Sequence, residues 1–407
     1  MIALIIFIVV YVGIIFDKLP FVHLDRKSIA FIGAVAMVLC GCLSPQEAIK
    51  SIDFNTLVLL LGMMLIISNL KLDGFFSLLS QKTISFAKSP LMLLFIIVFT
   101  TGFASAFLVN DAVVLLFTPV IIEICKKTDL SPIPFLLGEI FAANAGSLMT
   151  ITGNPQNMII GIASNISYSQ FMLYLFPIAI VSMLIITIVI KIFYKDVFSK
   201  KQKIILADNS TIKVKNIRTS LIIFCLVVVG FFFGKIFGLS IPMIALVGGG
   251  LTLIFSKHKA EQIFQGVDWS LLLFFASLFV LVASIKDSAF LTPIFDLNLS
   301  ENTLSLVIIF VVSIVLSQVL SNVPYTILIL PLLKVANSHI LWFALATSST
   351  LAGNFTIFGA MANLIVLEQA QKSGVIISNK QFYPPALIIS LLTISAAFVI
   401  IVCYTKL

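Results

Sequence analysis

Long apolar runs divided by short polar stretches dominate this chain, and their lengths set the elements it predicts. Runs at about 1–16, 28–43, 54–70, 171–193, 219–237, 241–256, 269–285 and 383–404 read as membrane-crossing helices. Two longer runs, 132–167 and 340–367, are interrupted by polar residues near 150–154 and near Thr356, and each is predicted to cross as a broken helix. Two more, 90–125 and 303–333, are interrupted at their middles and are predicted to fold as re-entrant hairpins that return to their own side. Several runs fall short of the roughly 20 residues usually needed to span a bilayer, so their ends are loosely set. The fold class expected is an all-α integral membrane protein, with about five crossings and one hairpin in each half.

The interruptions carry the chemistry. In the first half Val109, Asn110 and Asp111 form one break, and Thr150, Thr152, Gly153, Asn154, Pro155 and Asn157 form the next. In the second half Ser321, Asn322, Val323 and Pro324 are followed by Thr356, Gly359 and Asn363. Backbone at lipid depth leaves the helix only where it is buried in protein or lines a cavity, because no water is there to satisfy its N–H and C=O groups. An unwound end frees carbonyl oxygens, which suit a hard cation such as Na⁺. The N-terminus of the following half-helix offers N–H groups and positive dipole to an anion. Asn carries both a donor and an acceptor, so Asn110 and Asn322 suit either ligand. Pro155 fits the first position of a helix, where its missing N–H costs nothing. A single Gly or Pro often only kinks a packed membrane helix, but four such breaks in duplicated order point to a transporter site built from discontinuous helices.

The same order recurs at a slowly drifting offset. Asp53 is matched by Asp268 after 215 residues and Asn110 by Asn322 after 212. Thr150, Gly153 and Asn157 are matched by Thr356, Gly359 and Asn363 after 206, and Lys71 and Asp73 by Lys286 and Asp287. An odd number of crossings per half places the second repeat upside down relative to the first, and inverted repeats hold substrate and ion sites near the midplane. The expected organisation is a first repeat over 1–193, a cytoplasmic linker over 194–218 and a second repeat over 219–407.

Composition and charge agree. Of the 407 residues, 60% are hydrophobic and 10% charged, and the mean hydropathy is +1.18, which excludes a soluble domain. The net charge of +8 lies in loops. With the assignment above, twenty Lys and Arg fall on one side and five on the other. The basic side is cytoplasmic by the positive-inside rule, so both termini are expected outside. The basic loops therefore act as topology determinants, and no nucleic-acid partner is expected. The first run lacks a basic leader and a small-residue cleavage site, so it is expected to remain as a span.

Ionisable residues within spans are functional candidates by default. Asp111 and Glu139 are the two clearly at depth: Asp111 follows the tip Asn and is suited to carry a proton or to neutralise a cation, and Glu139 is a possible coupling residue. Neither Arg26 nor Arg218 falls in a predicted span, so an anion is expected to be held by backbone amides, Asn and Ser or Thr. Cys40 and Cys42 point apart on a helix, and the five cysteines imply no disulfide framework. No phosphate-binding GxxxxGK[ST] loop is present, and no cofactor is expected beyond Na⁺ or H⁺ as coupling ion.

The hairpin tip Asn110-Asp111, the Gly153-Asn154-Pro155-Gln156-Asn157 break and the second tip Ser321-Asn322-Val323-Pro324 resemble the ion transporter superfamily. Within it the chain looks like the arsenite-pump and citrate-permease-like branch, akin to bacterial anion permeases of the divalent anion:sodium symporter group. That resemblance implies two clamshells for a cation flanking the substrate. Asn110, Thr152, Gly153 and Asn154 would form the first, and Asn322, Phe358, Gly359 and Asn363 the second. The symporters' Ser-Asn-Thr signature is not intact at either tip, which leaves dicarboxylate specificity unsupported. The expected function is a secondary active transporter, elevator-type, moving a small inorganic or carboxylate anion with Na⁺ or H⁺ across the bacterial inner membrane as a homodimer in lipid. The alternatives are a Na⁺/H⁺ antiporter or an arsenite or antimonite efflux permease of the same superfamily. A membrane enzyme acting on lipid-linked substrates would need clustered intramembrane carboxylates, His or Arg, and the sequence has no such cluster.

Overall fold

The computed structural model describes residues 2–16, 25–76, 78–79, 86–199, 217–285, 299–336 and 338–406. These form nineteen α-helices and two 3-10 turns. Most of the expected linker, and the pair Lys286 and Asp287, lie outside the described residues. Six helical segments are long and apolar enough to cross a membrane: Phe54–Leu72, Pro90–Leu108, Tyr168–Phe193, Ile217–Phe237, Thr303–Leu320 and Asn379–Tyr404. Both interrupted runs are broken, Ile133–Ser147 giving way to Pro155–Ser164 and His339–Ala352 to Met361–Lys372.

Helix starts follow local chemistry. Asp25 caps Arg26–Leu39 by accepting from the Ser28 amide, and Asp53 caps Phe54–Leu72 through the Asn55 and Thr56 amides. Ser44 and Glu47 close a reciprocal capping box on the short helix Pro45–Ser51. That helix and Ala260–Gln265, each lying before a long apolar helix, are not marked by the hydrophobic pattern. They are too short to show a period.

Packing comes in matched pairs. Arg26–Leu39 lies on Trp269–Ile285, and Phe54–Leu72 on Ile241–Phe255. Pro90–Leu108 lies on Ile133–Ser147, and Thr303–Leu320 on His339–Ala352. Small residues allow two of these contacts. A Cβ on Gly62 would sit 2.4 Å from the Ala245 carbonyl, and one on Gly146 only 2.2 Å from the Gly102 Cα. Helices in lipid gain their association from such close packing rather than from hydrophobic transfer. The half-helices after the breaks pack across the molecule: Pro155–Ser164 on Asn322–Ala336, and Met361–Lys372 on Asn110–Lys127. Away from this centre, buried Asp73 accepts from Ser220 and pairs with His258 at 2.9 Å, joining the end of Phe54–Leu72 to the start of Ile217–Phe233 and to the loop after Ile241–Phe255.

Candidate functional site

The two hairpins turn at single residues with left-handed backbone, Val109 at φ 62° and Ser321 at φ 68°. A β-branched residue there stores on the order of 1–3 kcal/mol and persists only where its surroundings hold it. At the first tip the hold is visible: the Asn110 amide donates to the Gly153 carbonyl at 3.0 Å, and the Thr150 hydroxyl donates to the Ala106 carbonyl. Each hairpin tip therefore meets a broken helix.

The two breaks are built to one plan. The Asn157 side-chain amide donates to the carbonyls of Ser147 at 3.1 Å and Thr150 at 3.0 Å, ten and seven residues back. The Asn363 amide donates to Gly353 at 2.8 Å and Thr356 at 2.9 Å, again ten and seven residues back. Each break needs a glycine, since a Cβ on Gly153 would lie 2.0 Å from the Ser147 carbonyl oxygen and one on Gly359 2.7 Å from that of Gly353. Carbonyls that lost their helical partners are thus satisfied by an amide four residues past the glycine, as burial requires.

Side-chain amides join the two halves. Asn144 donates to the Asn354 and Asn363 carbonyl oxygens at 2.8 and 3.0 Å, and its own oxygen accepts from Asn110 at 3.3 Å. Gln156 donates to the Thr350 hydroxyl at 3.0 Å. With its amide nitrogen facing carbonyls, Asn322 donates to Ser349 and Gly359 at 3.1 Å each and accepts from Gln156 at 3.3 Å.

A cavity of about 90 Å³ opens where these elements converge, large enough for a small ion and its waters. Of the sequence-predicted residues it is lined by Asn110, Asp111, Asn154, Ser321 and Asn322. Gly153, Asn157, Gly359 and Asn363 are not on its lining and hold the breaks in shape behind it. Thr152 turns to the Tyr168 hydroxyl at 2.8 Å, Phe358 points its ring outward at 57% exposure, and buried Glu139 meets the Thr118 hydroxyl at 3.0 Å.

Pattern reading missed Asn144, Gln156, Thr350 and Asn354, and it misplaced the cations. Arg26 and Lys27, read from sequence as loop charges, begin the helix Arg26–Leu39 and line the cavity. The cavity lining thus carries two side-chain cations as well as amides and hydroxyls. Lys27 Nζ contacts Asp268 Oδ1 and Oδ2 at 3.0 and 2.8 Å and Ser270 Oγ at 2.8 Å. Partial burial pushes the Asp268 carboxyl up, but hydrogen bonds from Lys27, Ser270 and the Leu271 amide outweigh it and hold the group below the usual carboxylate range. Asp111 lies close enough to interact electrostatically with both Lys27 and Asp268.

Several buried oxygens near the breaks have no protein partner: Asn110 Oδ1, Asn157 Oδ1 and Ser105 Oγ in the first half, and Ser317 Oγ in the second. Ser105 and Ser317 each stand five residues before a tip Asn. Unsatisfied oxygens of this kind are costly unless something binds them, and hydroxyl and amide oxygens fit a hard monovalent cation. Among the described residues no group of three or more His, Cys, Asp or Glu is placed to hold a metal ion.

A family model described as a citrate transporter matches residues 11–347. The chain is 28% identical to a 46 kDa membrane protein of Mycobacterium leprae, over 97% of this chain and 96% of that one. It is 26% identical to the putative transporter arsB of Dictyostelium discoideum, over 86% and 82% of the two chains. It is likewise 26% identical to a silicon efflux transporter of Oryza sativa subsp. japonica, over 88% of each. The YdaH transporter of Alcanivorax borkumensis, whose crystal structure was described as having an unusual topology, shares the fold with a TM-score of 0.58 at 13% identity, over 99% of this chain and 96% of that one.

Proposed function

This chain belongs to the citrate transporter family, and from that premise we propose that it is a secondary active transporter that moves a small anion or oxyanion with Na⁺ or H⁺. Membership and the transporters among its relatives set aside the membrane-enzyme alternative. The observation that carries the reading is the twin break: two unwound segments with carbonyls tied at the same offsets, each met by a hairpin tip at a shared cavity. Two inverted repeats account for that duplication. Their hairpins then enter from opposite faces, and the core they form moves against the paired helices Arg26–Leu39 and Trp269–Ile285. The basic-loop asymmetry orients both termini outward in the bacterial inner membrane, so the cavity mouth at Lys27 faces the cytoplasm.

In this reading the orphaned side-chain oxygens of Ser105 and Asn110 receive the cation. The Asn154, Gln156, Ser321 and Asn322 side of the cavity receives the anion. Glu139, bonded to Thr118 and off the cavity, is a structural group in this reading. Uptake of labelled citrate, phosphate and arsenate into proteoliposomes, under imposed Na⁺ or proton gradients, tests it. Accumulation driven by one gradient is expected, and no gradient-driven movement of any of them in either direction would refute it. Asp111→Asn separates the two couplings. A coupling proton on Asp111 means loss of pH-driven uptake with exchange retained; neutralisation of Na⁺ means a ten- to hundredfold higher Na⁺ requirement, from roughly 1.5–3 kcal/mol of lost charge contact. The relative named as a silicon efflux transporter supports an outward direction as a second reading, and reversing the imposed gradient in the same vesicles decides between them.

A further inference from the structure

Lys27 is held by Asp268 and Ser270, yet the start of Trp269–Ile285 is complete without it. Asp268 already accepts from the Leu271 amide at 2.9 Å and the Ser270 hydroxyl at 2.6 Å. Its counterpart Asp53 caps Phe54–Leu72 in the same way, through the Asn55 amide at 3.0 Å and the Thr56 hydroxyl at 2.8 Å, and among the described residues no lysine is paired with it. The lysine is therefore an addition at one end of the molecule, at the lining of the central cavity. Its three N–H donors meet three oxygens. The pair is nevertheless wet, with side chains 26% and 45% exposed. Ion pairs this exposed contribute little, so exchanging one carboxylate for another anion costs little.

We propose that Lys27 selects for negative charge at this site: it leaves Asp268 to donate to the entering anion, and Asp268 sets how readily it does so. This rests on the transporter reading and is tested apart from it by measuring binding as well as transport. Purified wild-type protein, Lys27→Gln, Asp268→Asn and the double variant are titrated calorimetrically with citrate, phosphate and sulfate and with uncharged arsenious acid, and the same proteins are assayed for citrate uptake in vesicles. Lys27→Gln should raise the citrate dissociation constant at least tenfold and leave arsenious acid unchanged. Asp268→Asn should lower it severalfold by freeing the lysine, and the double variant should match Lys27→Gln. Equal losses in both single variants with recovery in the double would make the pair a structural latch and overturn the proposal. So would equal loss for the uncharged probe, or a wild type that binds none of citrate, phosphate and sulfate. A wild type that binds citrate and moves nothing refutes the transporter reading, while the signs of the binding changes still decide the role of Lys27. If Lys27→Gln does not fold, Lys27→Arg with unchanged affinity and Asp268→Asn with raised affinity carry the same test.

Discussion

The two breaks share a plan and differ in finish. At the first, the residues from Leu148 through Gly161 are buried, Asn154 caps Pro155–Ser164 by accepting from the Asn157 amide at 2.8 Å, and Pro155 sets the first helical position. At the second, Ala360 stands where Asn154 does and makes no side-chain cap, Met361 replaces the proline, and Met361 and Phe358 are 45% and 57% exposed. Thr356 is held instead by Gln318, whose own amide donates to the Ala352 carbonyl at 2.6 Å. One half thus presents a finished, preorganised loop, and the other a looser loop steadied by a hairpin residue. The duplicated geometry is enough to make a binding surface. The unequal finish leaves one half free to change shape.

That contrast can be broken at the glycines, where the largest effect is expected. Gly153→Ala drives a methyl to 2.0 Å from a backbone oxygen with nothing flexible to yield, and it should cost more than about 3 kcal/mol and abolish uptake. Gly359→Ala meets its carbonyl at 2.7 Å and the flexible Gln318 side chain at 3.0 Å, in a loop whose neighbour Phe358 is exposed, and should leave measurable transport. Equal loss in the two, measured as initial uptake rate at matched membrane expression, would mean the second loop is as rigid as the first. The next effect is at the asparagines. Asn157→Ala strands two buried carbonyls at roughly 1–3 kcal/mol each, while Asn363→Ala strands one buried and one part-buried carbonyl and should lower the detergent melting temperature by less. The smallest is a gain. Ala360→Asn supplies the missing cap and should stabilise Met361–Lys372 by about 1 kcal/mol. If the second loop must move, that variant melts higher and transports more slowly; faster transport would contradict the view that its looseness is used.

Much of this was legible in the sequence because breaks in apolar helices are written in Gly, Asn and Pro. The run 90–125 divides at Val109 and the run 303–333 at Ser321, and the break near 150–154 ends Ile133–Ser147 and begins Pro155–Ser164. Asn144 and Thr350 were illegible for the opposite reason. They sit inside helices buried on nearly every face, so no apolar stripe marks which side meets the partner half. Arg26 and Lys27 were misread because adjacent basic residues after a polar stretch look like a loop. Only the packing of Arg26–Leu39 on Trp269–Ile285 brings them to the cavity.

The crossing of the half-helices has a consequence for how the chain is made. Pro155–Ser164 finds its packing partner in Asn322–Ala336, about 170 residues later, and at typical elongation rates that partner follows by roughly ten to thirty seconds. Until the second half is made, Gln156 lacks Thr350, its hydrogen-bond partner there. A chain halted before Ala336 therefore leaves the face of Pro155–Ser164 that meets Asn322–Ala336 without its partner.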